Sequence, residues 1–312
     1  MSKWTEHDIP DQTGRTILVT GANSGLGLVA AELLAAAGAH VLMACRSPER
    51  GEAALHTVAE HGSAELVALD LADLASVRAA AVDIRQRTGD KLDVLMNNAG
   101  VMMTPKRQTK DGFELQFGTN HLGHAALTWL LMPALRGVPG ARVVTLSSMA
   151  ARPGRVDVTD PNFQHRRYLP NSAYSQAKLA NLMFALELDR RARAAGLDLV
   201  SVAAHPGYTA TNLTPNMAQA HGHGLIGQVI SVFGELGDRM FAQSVRIGVL
   251  PQVYAATSPD VRGGAYYGPD GFMEARGHPR EVEIPGAAGN PTAASALWEL
   301  SAELTKVDPD PA

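Results

Sequence analysis

Short apolar runs alternate with longer amphipathic stretches along most of the chain. Apolar runs of about four to eight residues are typical of buried strands, whereas the longer stretches are typical of helices. The pattern predicts strands at 15–20, 39–44, 65–69, 92–96, 142–146, 197–204 and 264–269, and helices at 28–37, 48–61, 73–88 and from about 171 onward. This alternation predicts an α/β fold, in which one doubly wound parallel sheet carries helices on both faces.

The pattern is consistent with a single domain. The chain has 312 residues, enough to bury a large core, and contains no internal repeat. We place the domain at residues 13–302 and a substrate-binding lid at 208–245, where Gly, His, Met and isolated apolar residues replace the periodic pattern. Residues 1–12 and 303–312 are expected to be tails, and the chain after Lys306 is expected to be disordered.

Charge and cysteine content exclude several classes of protein. The net charge of -4 and the pI near 6.3 give no reason to expect nucleic acid binding. Cys45 is the single cysteine, which excludes an intrachain disulfide and a cysteine-based metal cluster. The N-terminus is polar, and no apolar run approaches the roughly 20 residues that span a bilayer. We therefore expect a cytoplasmic protein with no metal and no membrane span.

A glycine-rich turn separates the first predicted strand from the first predicted helix. Its sequence, Thr-Gly-Ala-Asn-Ser-Gly-Leu-Gly, occupies residues 20–27. Glycine lets the main chain approach a ligand closely, and the amides of the following helix N-terminus favour an anion. The alternative is an ordinary turn that needs glycine for packing alone. The flanking strand and helix favour a site for the pyrophosphate of a dinucleotide, with Gly21, Asn23, Ser24, Gly25, Leu26 and Gly27 as its candidate residues.

Residues after the second predicted strand bear on the choice of cofactor. Ligands of doubly wound sheets lie beyond the carboxyl ends of the strands, and an arginine about 20 residues after the glycine turn suits a ribose 2′-phosphate. Arg46 holds that position, and the Ser47 hydroxyl can contact the same phosphate. The alternative for Arg46 is a solvated surface arginine. We therefore predict NADP(H) as cofactor, with NAD(H) second.

Three motifs in order resemble the short-chain dehydrogenase/reductase family, which has a Rossmann fold. They are Thr-Gly-x3-Gly-x-Gly from residue 20, Asn-Asn-Ala-Gly at 97–100 and Tyr-x3-Lys at 174–178, and the resemblance covers roughly residues 13–270. The stretch 150–170, rich in Arg, Pro, Asp and Asn, lengthens the separation between Ser148 and Tyr174 and indicates a surface excursion. That length resembles the retinol dehydrogenase and protochlorophyllide reductase branch.

The resemblance implies roles for residues along the cleft. It implies that Tyr174 is the general acid/base, Lys178 binds the nicotinamide ribose and lowers the tyrosine pKa, and Ser148 holds the reacting oxygen. It also implies that Asn120 completes a proton relay and bends its helix. The remaining cofactor contacts that it implies are Asp70, Leu71, Asn97, Asn98, Ala99, Gly100, Pro206, Gly207, Thr209 and Thr211.

Local chemistry agrees with several of these roles. Tyr174 and Lys178 are four residues apart and share a helix face, and an ammonium near the phenol offsets part of the cost of ionising it. Strand alternation points Ser147 and Ser148 in opposite directions, so only one can face the site. Asn120 is locally unfavourable inside a helix, although a solvent-facing asparagine is the alternative. The neighbours of Asn120, His121 and His124, lack partners at a metal-binding spacing and are interpreted as packing or surface residues.

These features together predict an NADP(H)-dependent oxidoreductase. It would transfer a hydride between nicotinamide C4 and a carbonyl or alcohol of an apolar small molecule. A non-catalytic NADP(H)-binding sensor and an enoyl reductase acting on a C=C bond are the alternatives on the same fold. The family resemblance also makes the helices around residues 111–136 and 174–195 candidate faces for a homodimer or homotetramer.

Overall fold

A computed structural model describes residues 3–209 and 243–311, and within them the chain forms an eight-stranded sheet. The strand order is β3-β2-β1-β4-β5-β6-β7-β8, and every neighbouring pair is parallel except β7 and β8. This confirms the predicted doubly wound sheet. The strands are β1 Thr16–Thr20, β2 His40–Cys45, β3 Ala64–Ala68, β4 Val94–Asn97, β5 Ala141–Leu146, β6 Leu199–Ala204, β7 Tyr266–Pro269 and β8 Pro279–Glu281. Strand β8 was not predicted because its Pro-Arg-Glu sequence carries no apolar pattern.

Helices connect the strands and have clear local start signals. Asp73 accepts hydrogen bonds from the amides of Ala75 and Ser76 and caps α3, as an aspartate at this position is expected to do. No helix in the described ranges is both long and apolar enough to span a bilayer. The helices are α1 Gly25–Ala36, α2 Pro48–Ala59, α3 Leu74–Thr88, α4 Leu115–Phe117, α5 Gly123–Arg136, α6 Pro170–Ala194, α7 Val245–Gly248, α8 Leu250–Thr257 and α9 Pro291–Thr305.

The sheet is buried on both faces. Leu18 in β1 packs into a cluster with residues of α3 and α5, whereas its neighbours Ile17 and Val19 pack on the other face with residues of α1 and α2. This is why the strands are continuous apolar runs. Strand β1 pairs with β2 on one side and with β4 on the other. Successive strands are therefore added in one direction from β1 to β3 and in the opposite direction from β4 onward. A crevice at the carboxyl ends of β1 and β4 is the usual ligand position in such sheets.

The C-terminal helix α9 covers α5 and α6. Trp298 of α9 is 1% exposed, stacks on Phe184 of α6 at 5.2 Å between ring centroids, and meets Trp129 of α5 edge-on at 5.0 Å. The guanidinium of Arg191 lies 4.9 Å from the centroid of the same Trp298 ring. The two predicted dimer faces, 111–136 and 174–195, are therefore packed in part against α9 of the same chain. A dimer formed through this part of α5 and α6 would require α9 to move.

Two segments are more closely packed than the sequence suggested. Val307, expected to lie in a disordered tail, is 7% exposed in the core, and Asp310 forms an ion pair with Arg136. The excursion at 150–170 is also held to the domain. The Asp160 carboxylate accepts from the amides of residues 164, 165 and 166, and Phe163 is 1% exposed. Both predictions missed the few apolar and acidic side chains that anchor these segments.

Candidate active site

A cleft of about 310 Å³ opens at the carboxyl edge of the sheet, beside the β1–β4 crevice. It brings together residues that are far apart in sequence, from the glycine turn to α6. Most of the predicted site residues line it: Gly21, Asn23, Ser24, Gly25, Leu26, Gly27, Arg46, Ser47, Asp70, Leu71, Asn98, Ala99, Gly100, Tyr174, Lys178 and Pro206. The carboxyl-end rule thus located the cleft from sequence.

The glycine turn needs its glycines for shape and for close packing. Gly21 and Gly25 have positive φ angles of 68° and 56°, a conformation that glycine adopts without strain. A Cβ atom at Gly27 would lie 2.3 Å from the Gly21 carbonyl oxygen and 2.5 Å from Nδ2 of Asn98. The start of α1 can therefore lie directly against the turn. This arrangement fits the pyrophosphate of a dinucleotide, which needs close main-chain approach and a helix N-terminus.

Hydrogen bonds from Thr20 join the glycine turn to the end of β4. The Thr20 hydroxyl accepts from the amides of Asn98 and Ala99, both at 2.9 Å, and Nδ2 of Asn98 donates to the Thr20 carbonyl at 2.7 Å. Asn97 has a different position from the one expected. It is fully buried, does not line the cleft, and donates to the hydroxyls of Thr128 at 3.0 Å and Thr145 at 3.4 Å. Its side chain points into the layer below the cleft because successive strand residues face opposite sides.

The outer end of the cleft carries two exposed arginines. Arg46 lies there as predicted, and Arg50, which sequence reasoning missed, lines the cleft beside it. Neither guanidinium has a carboxylate partner within the ranges 3–209 and 243–311. The Ser47 hydroxyl caps α2 by accepting from the Arg50 amide at 3.4 Å and donates to Glu49 at 2.9 Å. Recognising Ser47 as a cap would have placed Arg50 in the first turn of α2, next to Arg46.

Tyr174 and Lys178 lie at the inner end of the cleft. The Lys178 ammonium is 5.9 Å from the centroid of the Tyr174 ring and donates to the Leu146 carbonyl at 3.1 Å. Burial lowers the pKa of Lys178 to about 8. Burial also raises the pKa of Tyr174 to about 12, while a hydrogen bond with the Ser148 hydroxyl acts in the opposite direction. The expected lowering of the tyrosine pKa is therefore not produced by the protein groups around it.

The two serines after β5 serve different partners. Ser147 is buried and its hydroxyl donates to the Lys178 carbonyl at 2.8 Å, which fixes α6 against β5. Ser148 has its hydroxyl next to the Tyr174 phenol and also accepts from the Ala150 amide at 3.2 Å. The opposite directions follow from strand alternation. The cleft is nevertheless lined by Ser147 and not by Ser148, which was the serine expected to face the site, and Ser148 reaches the site only through its contact with the Tyr174 phenol.

Asn120 lies in a local distortion between α4 and α5. Residues Gly118–Leu122 form a π-helical turn, a feature that often marks functional sites. Asn120 is fully buried and not solvent-facing, and its amide makes two bonds to the main chain of Val101, at 2.8 Å and 2.9 Å. The main-chain carbonyl oxygen of Asn120 lies 2.8 Å from Nδ1 of His124. The side chain thus holds the Val101 main chain at the wall of the cleft.

His121 and His124 are buried packing residues. Burial lowers the pKa of His121 to about 3 and that of His124 to about 4, so both rings are neutral near pH 7. His121 Nε2 lies 2.8 Å from the Ser301 hydroxyl of α9, and His124 Nε2 lies 2.9 Å from the Thr20 hydroxyl. These contacts agree with the interpretation as packing residues.

The turn after β6 contributes only part of what was expected. Pro206 lines the cleft, and Gly207 has a positive φ of 65° but does not. Thr209 uses its hydroxyl to donate to the Pro206 carbonyl at 2.8 Å and does not line the cleft either. Thr211, and residues 210–242 of the predicted lid, lie outside the described residues.

Besides Arg50, sequence reasoning missed several apolar and small lining residues. Some could have been found because they end a strand or directly follow one. Others depend on loop paths that no local pattern indicates. The full missed set is Ala44, Arg50, Leu69, Val101, Met102, Thr119, Leu146 and Ser147.

The fold and the cleft define an α/β protein with its site at the switch point of a doubly wound sheet. More specifically, the chain belongs to the short-chain dehydrogenase family, because the family model described as short chain dehydrogenase matches residues 15–222. This confirms the resemblance seen in the motifs.

Individual relatives support the same placement. Retinol dehydrogenase 13 from Homo sapiens is 36% identical over 302 residues, covering 95% of this chain and 86% of that protein. Polyprenol dehydrogenase from Mus musculus is 39% identical over 285 residues, covering 88% and 82%. A crystal structure of an uncharacterized protein from Mycobacterium Paratuberculosis has a TM-score of 0.81 and 43% identity, covering 98% and 99% of the two chains. The chain therefore lies on the retinol dehydrogenase side of the family.

Proposed function

We propose that this protein is an NADP(H)-dependent oxidoreductase that interconverts a carbonyl and an alcohol on an apolar small molecule. The observation that carries the proposal is that Tyr174 and Lys178 line the inner end of a cleft that begins at the glycine turn, with the Ser148 hydroxyl hydrogen-bonded to the Tyr174 phenol. Such a cluster offers a proton donor, a cation and a hydrogen-bond donor to one oxygen atom.

Tyr174 acts as general acid in the direction of reduction. Its pKa of about 12 keeps the phenol protonated at neutral pH, ready to donate to the carbonyl oxygen. The Ser148 hydroxyl holds that oxygen. Lys178 remains mostly charged at pH 7 because its pKa is about 8, and its ammonium, 5.9 Å from the centroid of the Tyr174 ring, attracts the phenolate left by proton transfer, although burial of the phenol outweighs this attraction in the protein alone. A nicotinamide cofactor held in this cleft would supply or accept the hydride.

The cofactor preference rests on the outer end of the cleft. Arg46 and Arg50 present two guanidinium groups without carboxylate partners in the described ranges, next to the end of β2. A planar guanidinium suits a phosphate monoester, whereas a ribose diol is usually held by a carboxylate. We therefore propose NADP(H) over NAD(H). Asp70, Leu71, Asn98, Ala99 and Gly100 are proposed to contact the adenine and ribose parts.

The apolar substrate class is inferred from relatives and from the cleft wall. The relatives are named for retinol and polyprenol, both long apolar alcohols. Val101 and Met102 line the cleft near Asn120. Residues 208–245 are proposed to complete the substrate site as a lid.

The first test follows NADPH oxidation with aldehydes, ketones, quinones and enones. We expect turnover with aldehydes or ketones that carry a long apolar chain. Turnover of enones alone would indicate an enoyl reductase, and NADPH binding without turnover of any compound would indicate a sensor. Either result would overturn the proposal.

Tyr174→Phe tests the general acid itself. The substitution removes only the phenolic oxygen, so turnover should fall by about three orders of magnitude while the NADPH dissociation constant stays within about twofold. Tyr254→Phe is the matched control, since this ring packs against Trp4 and Tyr267, away from the cleft residues. A Tyr174→Phe variant as active as the control would remove the assignment.

A further inference from the structure

A buried carboxylate behind the cleft joins two elements of the site. Glu274 is 9% exposed and lies in the turn between β7 and β8. One carboxylate oxygen is 3.1 Å from Nε2 of His205, and the other is 2.5 Å from the Arg152 guanidinium. The pKa of Glu274 is lowered to about 2 by its hydrogen bonds to His205 and Arg152, so the carboxylate is ionised throughout the neutral range.

The contacts of His205 fix its tautomer. The Gly207 amide donates to Nδ1 at 3.2 Å, so Nδ1 is the acceptor and the ring proton lies on Nε2, where it donates to Glu274. Gly268 leaves space for this ring, because a Cβ atom there would lie 2.1 Å from Nε2. With the other tautomer, an Nδ1 proton would oppose the Gly207 amide and the carboxylate would face a lone pair.

Each partner of Glu274 leads directly to the cleft. His205 holds the amide of Gly207, and the preceding Pro206 lines the cleft. Arg152 ends the short turn Met149–Ala151, whose first residues are capped by Ser148. The turn that carries Ser148 and the turn that carries Pro206 are therefore connected through one carboxylate.

The backbone at Glu274 is in an unusual conformation. Glu274 has a φ of 57° and Met273 a φ of 51°, so two consecutive residues other than glycine are left-handed. Such conformations are costly and persist where surrounding contacts hold them, often near functional sites. The contacts to His205 and Arg152 are the ones that hold the Glu274 side chain.

We propose that Glu274 is a positioning residue, which holds His205 in its Nε2-protonated tautomer and Arg152 in place, and so sets the Pro206 and Ser148 turns relative to each other. The proposal rests on the proposed function for its effect on turnover. Its effect on the His205 ring does not depend on that function.

The direct test is the ¹⁵N chemical shift of the His205 ring in the full-length protein. The chain has 11 histidines, so the signal is assigned with His205→Gln. We expect the Nε2-protonated tautomer in the wild-type protein, with the Nε2 proton shifted downfield by its hydrogen bond to Glu274, and an upfield move of that proton in Glu274→Ala, where only the Gly207 contact to Nδ1 remains. The other tautomer in the wild type, or an unmoved Nε2 proton in Glu274→Ala, would overturn the proposal. This measurement needs no substrate, so its result is valid even if the proposed function is wrong.

Kinetics provide the second readout. Glu274→Ala should lower kcat by about tenfold and weaken NADPH binding by about fivefold, and Glu274→Gln, whose amide oxygen can still accept from Nε2, should recover most of both. Glu281→Ala is the matched control, since Glu281 is an exposed glutamate of the neighbouring strand β8 paired with Arg262. If Glu274→Ala does not fold, Glu274→Gln carries the test, because a neutral amide oxygen accepts more weakly than a carboxylate and the Nε2 proton should still move upfield, though less than in Glu274→Ala; an unmoved proton would overturn the proposal. Kinetic constants equal to those of the control would overturn the proposal.

Discussion

The two ends of the cleft use charge in opposite ways. At the outer end, Arg46 and Arg50 are exposed to solvent. At the inner end, Lys178 is 5% exposed, and burial shifts its pKa and that of Tyr174 away from their ordinary values. The outer end resembles a recognition surface, where charge selects a ligand. The inner end resembles a reaction site, where charge is held at a cost in stability.

This contrast predicts which property a mutation at each end of the cleft should change. Exposed charges in water contribute modestly and are screened by salt, so changes at the outer end should alter affinity and preference. A buried ammonium costs stability until a partner charge forms beside it, so changes at the inner end should alter turnover and the stability of the folded chain. The variants below test this division, from the largest expected effect to the smallest.

Lys178→Met should remove turnover and stabilise the nucleotide-free protein. Turnover should fall about a thousandfold because the phenolate loses its neighbouring cation. The Leu146 carbonyl keeps a donor, since Nδ2 of Asn181 also bonds to it at 3.0 Å. Removing a buried ammonium with a pKa lowered from 10.5 to about 8 should raise the free energy of unfolding at pH 7 by up to roughly 3 kcal/mol.

The pH dependence of this stability difference has a defined sign. Below pH 8 the folded protein carries the full cost of the buried ammonium, and between pH 8 and 10.5 the unfolded chain holds the proton more tightly, so Lys178 becomes less destabilising as pH rises. Urea unfolding at pH 7 and pH 10 should therefore show the Met variant's advantage shrinking. An advantage that grows with pH, or a less stable variant at pH 7, would contradict the description of the inner end.

Gly27→Ala should disrupt the glycine turn that connects the two ends. The added methyl would lie 2.3 Å from the Gly21 carbonyl oxygen, so the turn must shift. We expect NADPH binding to weaken by about 100-fold and stability to fall by about 1–3 kcal/mol. Gly286→Ala is the control, because no atom lies within 4 Å of a Cβ atom placed there. Calorimetric titration that finds equal affinity in both variants would argue against a phosphate site at this turn.

Arg46→Asp should change cofactor preference without removing activity. The carboxylate repels a 2′-phosphate and can bind a ribose diol, so the NADPH-to-NADH ratio of kcat/KM should fall by about 30-fold. Arg50→Ala should lower the same ratio by about fivefold, since it removes one of two cations without adding repulsion. Comparison of both cofactors at low and high salt checks this. An unchanged ratio in Arg46→Asp would mean that the 2′-phosphate lies elsewhere.

The sequence predicted the sheet and the inner end of the cleft better than its supporting parts. Strand periodicity and the Tyr–Lys spacing are local signals, so both were readable. Asn97 was predicted to contact the cofactor because it belongs to the Asn-Asn-Ala-Gly motif, which is a local signal. The direction of its side chain, however, depends on the pleat of β4. The pKa of Tyr174 could not be predicted, since it depends on how much of the chain packs over the phenol.

Long-range packing explains the other differences. The covering of α5 and α6 by Trp298 joins segments more than 100 residues apart, and no local pattern reports such a contact. The same holds for Glu274, whose partners His205 and Arg152 lie on distant strand ends. Helical periodicity predicts that Trp298 lies on the buried face of its helix, but it does not predict which helices that face contacts.

The most direct test of the division between the two ends is a crossed measurement on Tyr174→Phe and Arg46→Asp. For each variant, the NADPH dissociation constant is measured by titration and kcat is measured at saturating NADPH. We predict that Tyr174→Phe loses about a thousandfold in kcat with unchanged binding, and that Arg46→Asp loses at least about tenfold in binding with kcat within about threefold of the wild type. Loss of both quantities in either variant would contradict a cleft that recognises at one end and reacts at the other.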